Sequence, residues 1–405
     1  MKIPTLSLAL ASMLVPTDAA LSTEYLSANG LNFTCTVLDH TVENAEVSKD
    51  IMLLHGFPMF RVWWDPLLNF WNEKLKASDG STSVRAVACD LRGYSPGASP
   101  DGVENYHYDI FASDTFALAE AAGFDQGFHL LGHDHGAGLA WYMADNDPDD
   151  LILSLTTLSV PHIGLMSQAL CGDNVDEDQV IASNYFNQFS LVDSATVNNA
   201  TLTSVFQAFG FGDSLQPHDF QKMLWWYNGS LAESFSLPRV VSDEEVAMYA
   251  EKAGPQAGAF LGGVRLAVPM EERECTQVSE EDLVGAITVP TLFICGLGDV
   301  FLLCNNTYAT DFPPELLPDY EHANFACGHD FFLPGDCSST EESQLVMDKI
   351  TSFVLPSLVE NGNETESNPP MESTDSPTAT PNDSSSQRLA PIVATGLAAV
   401  MLFVV

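Results

Sequence analysis

Leu130-Leu131-Gly132-His133-Asp134-His135-Gly136-Ala137-Gly138 is the stretch whose reading decides the fold. The run from Gly127 to Leu131 reads as a buried strand, and Ala137-Gly138-Leu139-Ala140-Trp141 opens a helix. Small residues at Gly132, Gly136 and Ala137 let the chain double back between them, which holds Asp134 at the tip of a strained turn. Serine usually occupies such a tip. A carboxylate there can attack carbon directly and leave an alkyl ester. The plainer reading is an aspartate that caps a helix after a glycine turn, and the rest of the chain must choose between the two.

Working outward, short apolar runs alternate with helical stretches. Tyr25 to Leu38 alternates like a pair of strands, and Asp50 to Leu54 is a continuous apolar run that ends in His55-Gly56-Phe57-Pro58. An aromatic-rich helical stretch with Trp63, Trp64 and Trp71 follows. The next strand, Ser83 to Cys89, leads into Asp90-Leu91-Arg92-Gly93-Tyr94. A helix over Ile110 to Ala122 precedes the elbow, and a strand over Leu151 to Val160 comes after it. This rhythm predicts a mostly parallel, doubly wound α/β sheet. From 163 to 284 the rhythm stops. That segment is helical in pattern and rich in aromatics, and it reads as a helical cap inserted between core segments 21–162 and 285–356. Strands resume at Thr288 to Cys295, ending in Gly296-Leu297-Gly298-Asp299, and at Tyr320 to Ala326, ending in Cys327-Gly328-His329. A helix from Glu341 to Val354 closes the core.

Composition removes several function classes. The net charge is −41, and no lysine or arginine lies between Gly93 and Gln221, so a groove for nucleic-acid phosphates is excluded as a reading. Residues 1–20 carry Lys2, an apolar run and a small-residue site at Ala19-Ala20, the pattern of a cleaved secretory signal. Residues 357–388 read as a disordered stalk rich in Ser, Thr and Pro, and 389–405 as an apolar tail. The tail is expected to be a glycolipid-anchor (GPI) signal, with a membrane-spanning helix as the alternative. Six Asn-X-Ser/Thr triplets and eight cysteines agree with an oxidising, extracellular or cell-surface setting, in which disulfides form; their pairing is not readable from spacing. The acidic group at Asp173, Asp176, Glu177 and Asp178 lacks the glycine and terminal glutamate of an EF-hand, so it reads as a solvated turn.

Taken together, His55-Gly56-Phe57-Pro58, Gly132-His133-Asp134-His135-Gly136, Asp299 and His329 appear in an order that resembles the α/β-hydrolase superfamily. Within it, the chain resembles the branch of epoxide hydrolases and haloalkane or haloacetate dehalogenases, which use an aspartate nucleophile. The resemblance implies that Asp134 attacks the substrate carbon, that His329 activates water against the resulting ester, and that Asp299 orients His329. It further implies that backbone N–H groups of Phe57 and His135 hold the oxyanion. The resemblance also implies that no metal or organic cofactor is needed and that the substrate is a small apolar organic molecule. Epoxide hydrolases use two cap tyrosines as proton donors. Tyr185 in Asn184-Tyr185-Phe186 resembles the first, whereas Gly263-Val264-Arg265 has valine at the second, so either Tyr185 works alone, or Tyr227 or Tyr249 substitutes, or the leaving group is not an epoxide. The halide-binding tryptophan of dehalogenases is replaced by His135, which is either a substrate contact or a packing residue, and Trp64 is the candidate substitute. Asp330, beside His329, is expected to cap the following turn. Epoxide hydrolysis is therefore the leading expectation, with dehalogenation or another hydrolysis by the same residues as the alternative. A binding protein that kept the fold without catalysis is the alternative of another class.

Overall fold

A computed structural model describes residues 20–57, 59–100, 105–162, 165–166, 169–170, 175–182, 287–299, 301–304, 317–333 and 335–360. Residues 1–19 of the expected leader, most of 163–284, residues 361–388 of the expected stalk and the tail lie outside these residues, whereas Ala20 begins a strand and Ser357–Glu360 form a short helix.

The elements are β1 (Ala20–Ala28), β2 (Leu31–His40), β3 (Val47–Leu54), α1 (Asp65–Ala77), β4 (Thr82–Cys89), α2 (Tyr108–Ala121), β5 (Phe128–His133), α3 (His135–Asp145), β6 (Ile152–Leu158), α4 (Glu177–Ala182), β7 (Thr291–Gly296), β8 (Tyr320–Phe325), α5 (Thr340–Val354) and α6 (Ser357–Glu360). A 3-10 turn, Arg61–Trp64, precedes α1. The strands form one sheet in the order β1-β2-β4-β3-β5-β6-β7-β8. The pairs from β4 through β8 are parallel, and β1 and β2 add an antiparallel margin. Asn29 and Gly30 both have positive φ, which is the two-residue hairpin turn that suits the twist of the paired strands. The sheet is thus the predicted doubly wound one, with helices covering both faces.

Each face has its own core. Phe111, Leu130 and Trp141 pack with α2 and α3 on one side, and Trp64, Trp71 and Ile350 pack with α1 and α5 on the other. The indole N–H of Trp71 donates to the Thr351 hydroxyl at 2.9 Å, tying α1 to α5. Ser339 caps α5 by accepting the Glu342 N–H, while the Glu342 carboxylate accepts the Ala326 N–H just past β8. The C-terminal ends of β3, β5, β7 and β8 open on the same side of the sheet, and the expected site residues follow those ends.

Candidate active site

Asp134 stands alone between β5 and α3, at φ +52° and ψ −123°. A non-glycine residue holds such a conformation only where its surroundings over-determine it. Here they do so by close approach. A Cβ on Gly132 would lie 2.3 Å from the Gly136 carbonyl oxygen, and one on Gly136 would lie 2.3 Å from that of Leu54. The turn therefore presses against β3, which brings the Asp134 carboxylate to the start of the loop after Leu54. There the Phe57 N–H donates to Asp134 Oδ1 at 2.7 Å. His55 fixes this loop: its Nδ1–H donates to the Gly56 carbonyl at 2.9 Å, and its Nε2 accepts the Leu91 N–H at 3.0 Å.

The second oxygen, Asp134 Oδ2, lies 3.3 Å from His329 Nε2, and His329 Nδ1 lies 2.7 Å from Asp299 Oδ2. The other oxygen of Asp299 accepts the N–H groups of Phe301 (2.8 Å) and Leu302 (3.0 Å), so both ends of that carboxylate are spoken for. His329 is held through its backbone as well as its ring. Its carbonyl accepts from the Ser159 hydroxyl and from His133 Nε2–H, each at 2.9 Å. His133 in turn stacks flat on Trp63, with centroids 3.8 Å apart. Two disulfides bracket these loops: Cys295–Cys304 around Asp299 and Cys327–Cys337 around His329. Chemically, the arrangement is an ionised carboxylate with one oxygen on a backbone donor and the other facing an imidazole that a second carboxylate orients.

Comparisons with known proteins address the fold that carries this geometry. The sequence profile of the alpha/beta hydrolase fold family matches residues 50–336. The chain belongs to the alpha/beta hydrolase fold family.

Within that family the hydrolase is 28% identical over 239 residues to the AB hydrolase superfamily protein YfhM of Bacillus subtilis, covering 54% of this chain and 77% of that protein. It is 33% identical over 135 residues to epoxide hydrolase 2 of Siraitia grosvenorii, covering 33% of this chain and 37% of that protein. A fluoroacetate dehalogenase from a Burkholderia species is 35% identical over 116 residues, covering 27% of this chain and 34% of the dehalogenase. The chain thus spans most of the Bacillus protein but about a third of the other two. Among solved structures, an epoxide hydrolase from Bacillus megaterium superposes with a TM-score of 0.53 over 82% of this chain and 99% of that one, at 19% identity, a likeness of fold.

Electrostatics divide the hydrolase's buried groups sharply. Burial by itself raises the Asp134 carboxyl, but charge from His135 and hydrogen bonding and charge from His329 outweigh it and hold Asp134 well below the ordinary carboxylate range. His135 is itself lowered to about 4 by burial, so at pH 7 it is neutral and the balancing charge is that of His329. Burial opposes that charge, yet Asp299 and Asp134 together raise His329 well above its ordinary value. His133 is lowered to about 3, chiefly by burial, and stays a neutral donor.

The structure brings together Asp134, Asp299, His329 and Phe57 as the sequence led us to expect. His135 opens α3, where an N–H has no intrahelical acceptor; its ring is buried and lies 5.9 Å from that of Phe57. Tyr185, Tyr227, Tyr249 and Val264 lie outside the described residues. Trp64 is fully buried against Trp63 and Phe332. One expectation needs correcting. The turn after His329 is closed by the backbone carbonyl of Asp330, which accepts from Phe332 and Leu333, whereas its carboxyl Oδ1 is buried without a hydrogen-bond partner among the described residues. The side chain had no need to cap, because the main chain already turns there. Burial pushes that carboxyl up to about 7. Sequence reasoning also missed Ser159 as a support for His329; a lone serine after a strand gives no signal of its own. Of the acidic cluster, Asp176 caps α4 by accepting the Gln179 N–H at 3.0 Å.

Proposed function

We propose that this hydrolase works through a covalent ester on Asp134, and that its substrate is an epoxide opened to a diol. The observation that carries the reading is the division of labour between the two oxygens of Asp134: Oδ1 rests on the Phe57 N–H at 2.7 Å while Oδ2 faces His329 at 3.3 Å. In this scheme Oδ2 attacks the substrate carbon and the carbon–oxygen bond of the epoxide breaks. The departing oxygen takes its proton from the cap, where Tyr185 is the proposed donor. The ester carbonyl is then Oδ1, with Phe57 and the N–H of His135 as donors for the oxyanion.

Charge changes during the cycle then prepare the second step. In the free enzyme His329 lies between two carboxylates that keep it protonated. Esterification removes the charge on Asp134, so His329 loses one of its two partners and yields its proton more readily. It can then take a proton from water, which attacks the ester carbonyl, and Asp299 stabilises the imidazolium that forms. No step calls on a cofactor.

A His329→Gln variant tests this directly. It is expected to form an adduct on the peptide containing Asp134, detectable by mass spectrometry, and to release it slowly. The substrate panel should contain epoxides, haloalkanes, haloacids and esters. Adducts from haloacids but not epoxides would move the reading to dehalogenation, which the identity to the Burkholderia enzyme favours as the second reading. Solvent label in the product of the first wild-type turnover in heavy-oxygen water would sink the covalent scheme.

The proposed setting is the cell surface, with small apolar organic substrates, no nucleic acid, and a C-terminal anchor. Three disulfides among the described residues support an oxidising compartment. No helix among the described residues is long and apolar enough to cross a membrane. Release of the protein from cells by a phosphatidylinositol-specific phospholipase, with residues 389–405 missing, would support the glycolipid anchor; finding those residues in the mature protein would exclude it.

A further inference from the structure

Gln179 lies on α4, inside the stretch that the sequence assigns to the cap, yet its side chain is fully buried against the core. Its amide makes two bonds to the loop after Asp299. Nε2–H donates to the Phe301 carbonyl at 2.7 Å, and Oε1 accepts the Leu303 N–H at 2.9 Å. One donor and one acceptor are thus set two residues apart on the loop, the same offers that a paired strand would make. The residues between and beside these bonds are those that hold the expected acid and base. Phe301 and Leu302 donate to Asp299 Oδ1, and the Phe301 ring stands edge-on to His329 at 5.6 Å.

We infer that Gln179 is a positioning residue for the hydrolytic half of the reaction, fastening the Asp299 loop to the segment that opens the cap. The inference rests on the covalent reading of Asp134. It assigns Gln179 no contact with substrate: its effect passes through the 301–303 backbone to Asp299 and then to His329. The Asp134–Phe57 pair shares none of these bonds, so formation of the ester should be indifferent to Gln179. Cys295–Cys304 closes the same loop covalently, which limits the damage when the amide is lost.

The test is rapid-quench kinetics on the full chain carrying Gln179→Met, which keeps the shape and removes both bonds. The ester on Asp134 should form within about twofold of the wild-type rate, while its hydrolysis slows roughly tenfold, as expected for two lost hydrogen bonds acting on one step. A second readout is the pH midpoint of ester hydrolysis. Asp299 is what keeps His329 high once Asp134 is esterified, so loosening Asp299 should move that midpoint to lower pH. Equal slowing of both steps, unchanged hydrolysis, or an unmoved midpoint would each overturn the inference. If Gln179→Met does not fold, Gln179→Glu is read by the same criteria, because it still accepts from Leu303 but cannot donate to Phe301. Should His329→Gln yield no adduct at all, the covalent reading fails by itself. Gln179 is then judged on the pH midpoint of turnover, where no shift rejects its positioning role.

Discussion

Asp134 and His329 meet at 3.3 Å, but the two halves of the site that carry them are held differently, one by exclusion and the other by exclusion reinforced with disulfides. Asp134 leaves β5, whose six residues are all buried between β3 and β6. His329 follows β8, the edge strand, where Glu321, His322 and Asn324 are exposed. In the central half, position is set by steric exclusion: backbone from β3 and the elbow approaches so closely that side chains cannot fit. The edge is crowded too, since a Cβ on Gly296 would meet the carbonyl oxygens of Gly328 and Cys327, but there covalent rings and hydrogen bonds borrowed from elsewhere add to the hold. Phe331 illustrates the cost. It sits two residues after His329 at φ +30°, a region unfavourable for an aromatic residue, inside the ring closed by Cys327–Cys337.

The largest expected effect should come from breaking the central half. Gly136→Ala would place a methyl group 2.3 Å from the Leu54 carbonyl and 2.6 Å from that of His55, neither of which can move without dislodging β3. We expect a loss of more than about 4 kcal/mol, in the range reserved for disrupted cores and special backbone sites. Urea unfolding of the variant measures it. Wild-type stability with full turnover would show that the elbow is not held by exclusion.

The edge half should yield differently. Replacing Cys327 and Cys337 together by alanine opens a ring of sequence separation 10 and is expected to cost about 2–3 kcal/mol on loop-entropy grounds. Under the proposed covalent scheme its kinetic signature should be selective: the ester on Asp134 forms at near its normal rate and then persists. Parallel loss of both steps would mean that the two halves are not separable.

This contrast also explains what could be read from the sequence. Exclusion leaves a local mark, because Gly132 and Gly136 must be small at fixed distances from Asp134, and so the elbow, the sheet and the order of the site residues were legible. The His55-Gly56-Phe57 turn was legible for the same reason. Gly296 and Gly328 leave the same mark at the edge, but the rest of its hold depends on partners far away in sequence. Neither the pairing of Cys295 with Cys304 nor that of Cys327 with Cys337 is marked by its spacing, and Gln179 acts from 122 residues before Phe301. Asp330 was misjudged because a carboxylate near a turn usually caps it, and nothing in the sequence told that its own carbonyl would do so.

Burial of the central half should also appear in the pH dependence of stability. His55, His129 and His135 are lowered to about 4, and His133 to about 3, with burial the chief cause in each. The unfolded chain takes up protons near pH 6.5 while the folded one stays neutral, so these groups stabilise the fold above pH 6.5 and lose that contribution as pH falls toward 4. Asp65 and Asp330, raised to about 6 and 7 by burial, work the other way and offset part of the loss. His129 is the member that can be removed with least disturbance to the site, as it lies at the start of β5 between Lys49 and Ser154. His129→Gln should flatten the slope of stability between pH 6.5 and 4 by at most about 1.4 kcal/mol for each pH unit. A parallel curve, shifted but equally steep, would show that His129 already titrates normally in the folded protein.

The smallest effect is expected from an interaction that looks well placed to hold the edge. Lys349 on α5 pairs with Glu321 on β8, a contact that invites credit for fastening the strand that leads to His329. Both groups are substantially open to water, with 26% of the Lys349 side chain and 53% of that of Glu321 accessible. In that setting the attraction is screened and ordering two long side chains consumes most of what remains. The hold on this region comes from other bonds: the Glu342 carboxylate on the Ala326 N–H, the Cys327–Cys337 bridge, and the two donors to the His329 carbonyl. Lys349→Met should therefore change stability by less than about 0.5 kcal/mol and leave ester formation and hydrolysis both intact. The same measurement in high salt should give the same difference between variant and wild type, since little electrostatic energy is there to be screened. A loss comparable to that of the double cysteine variant would reverse the picture, because the edge would then be held by charge rather than by covalent rings.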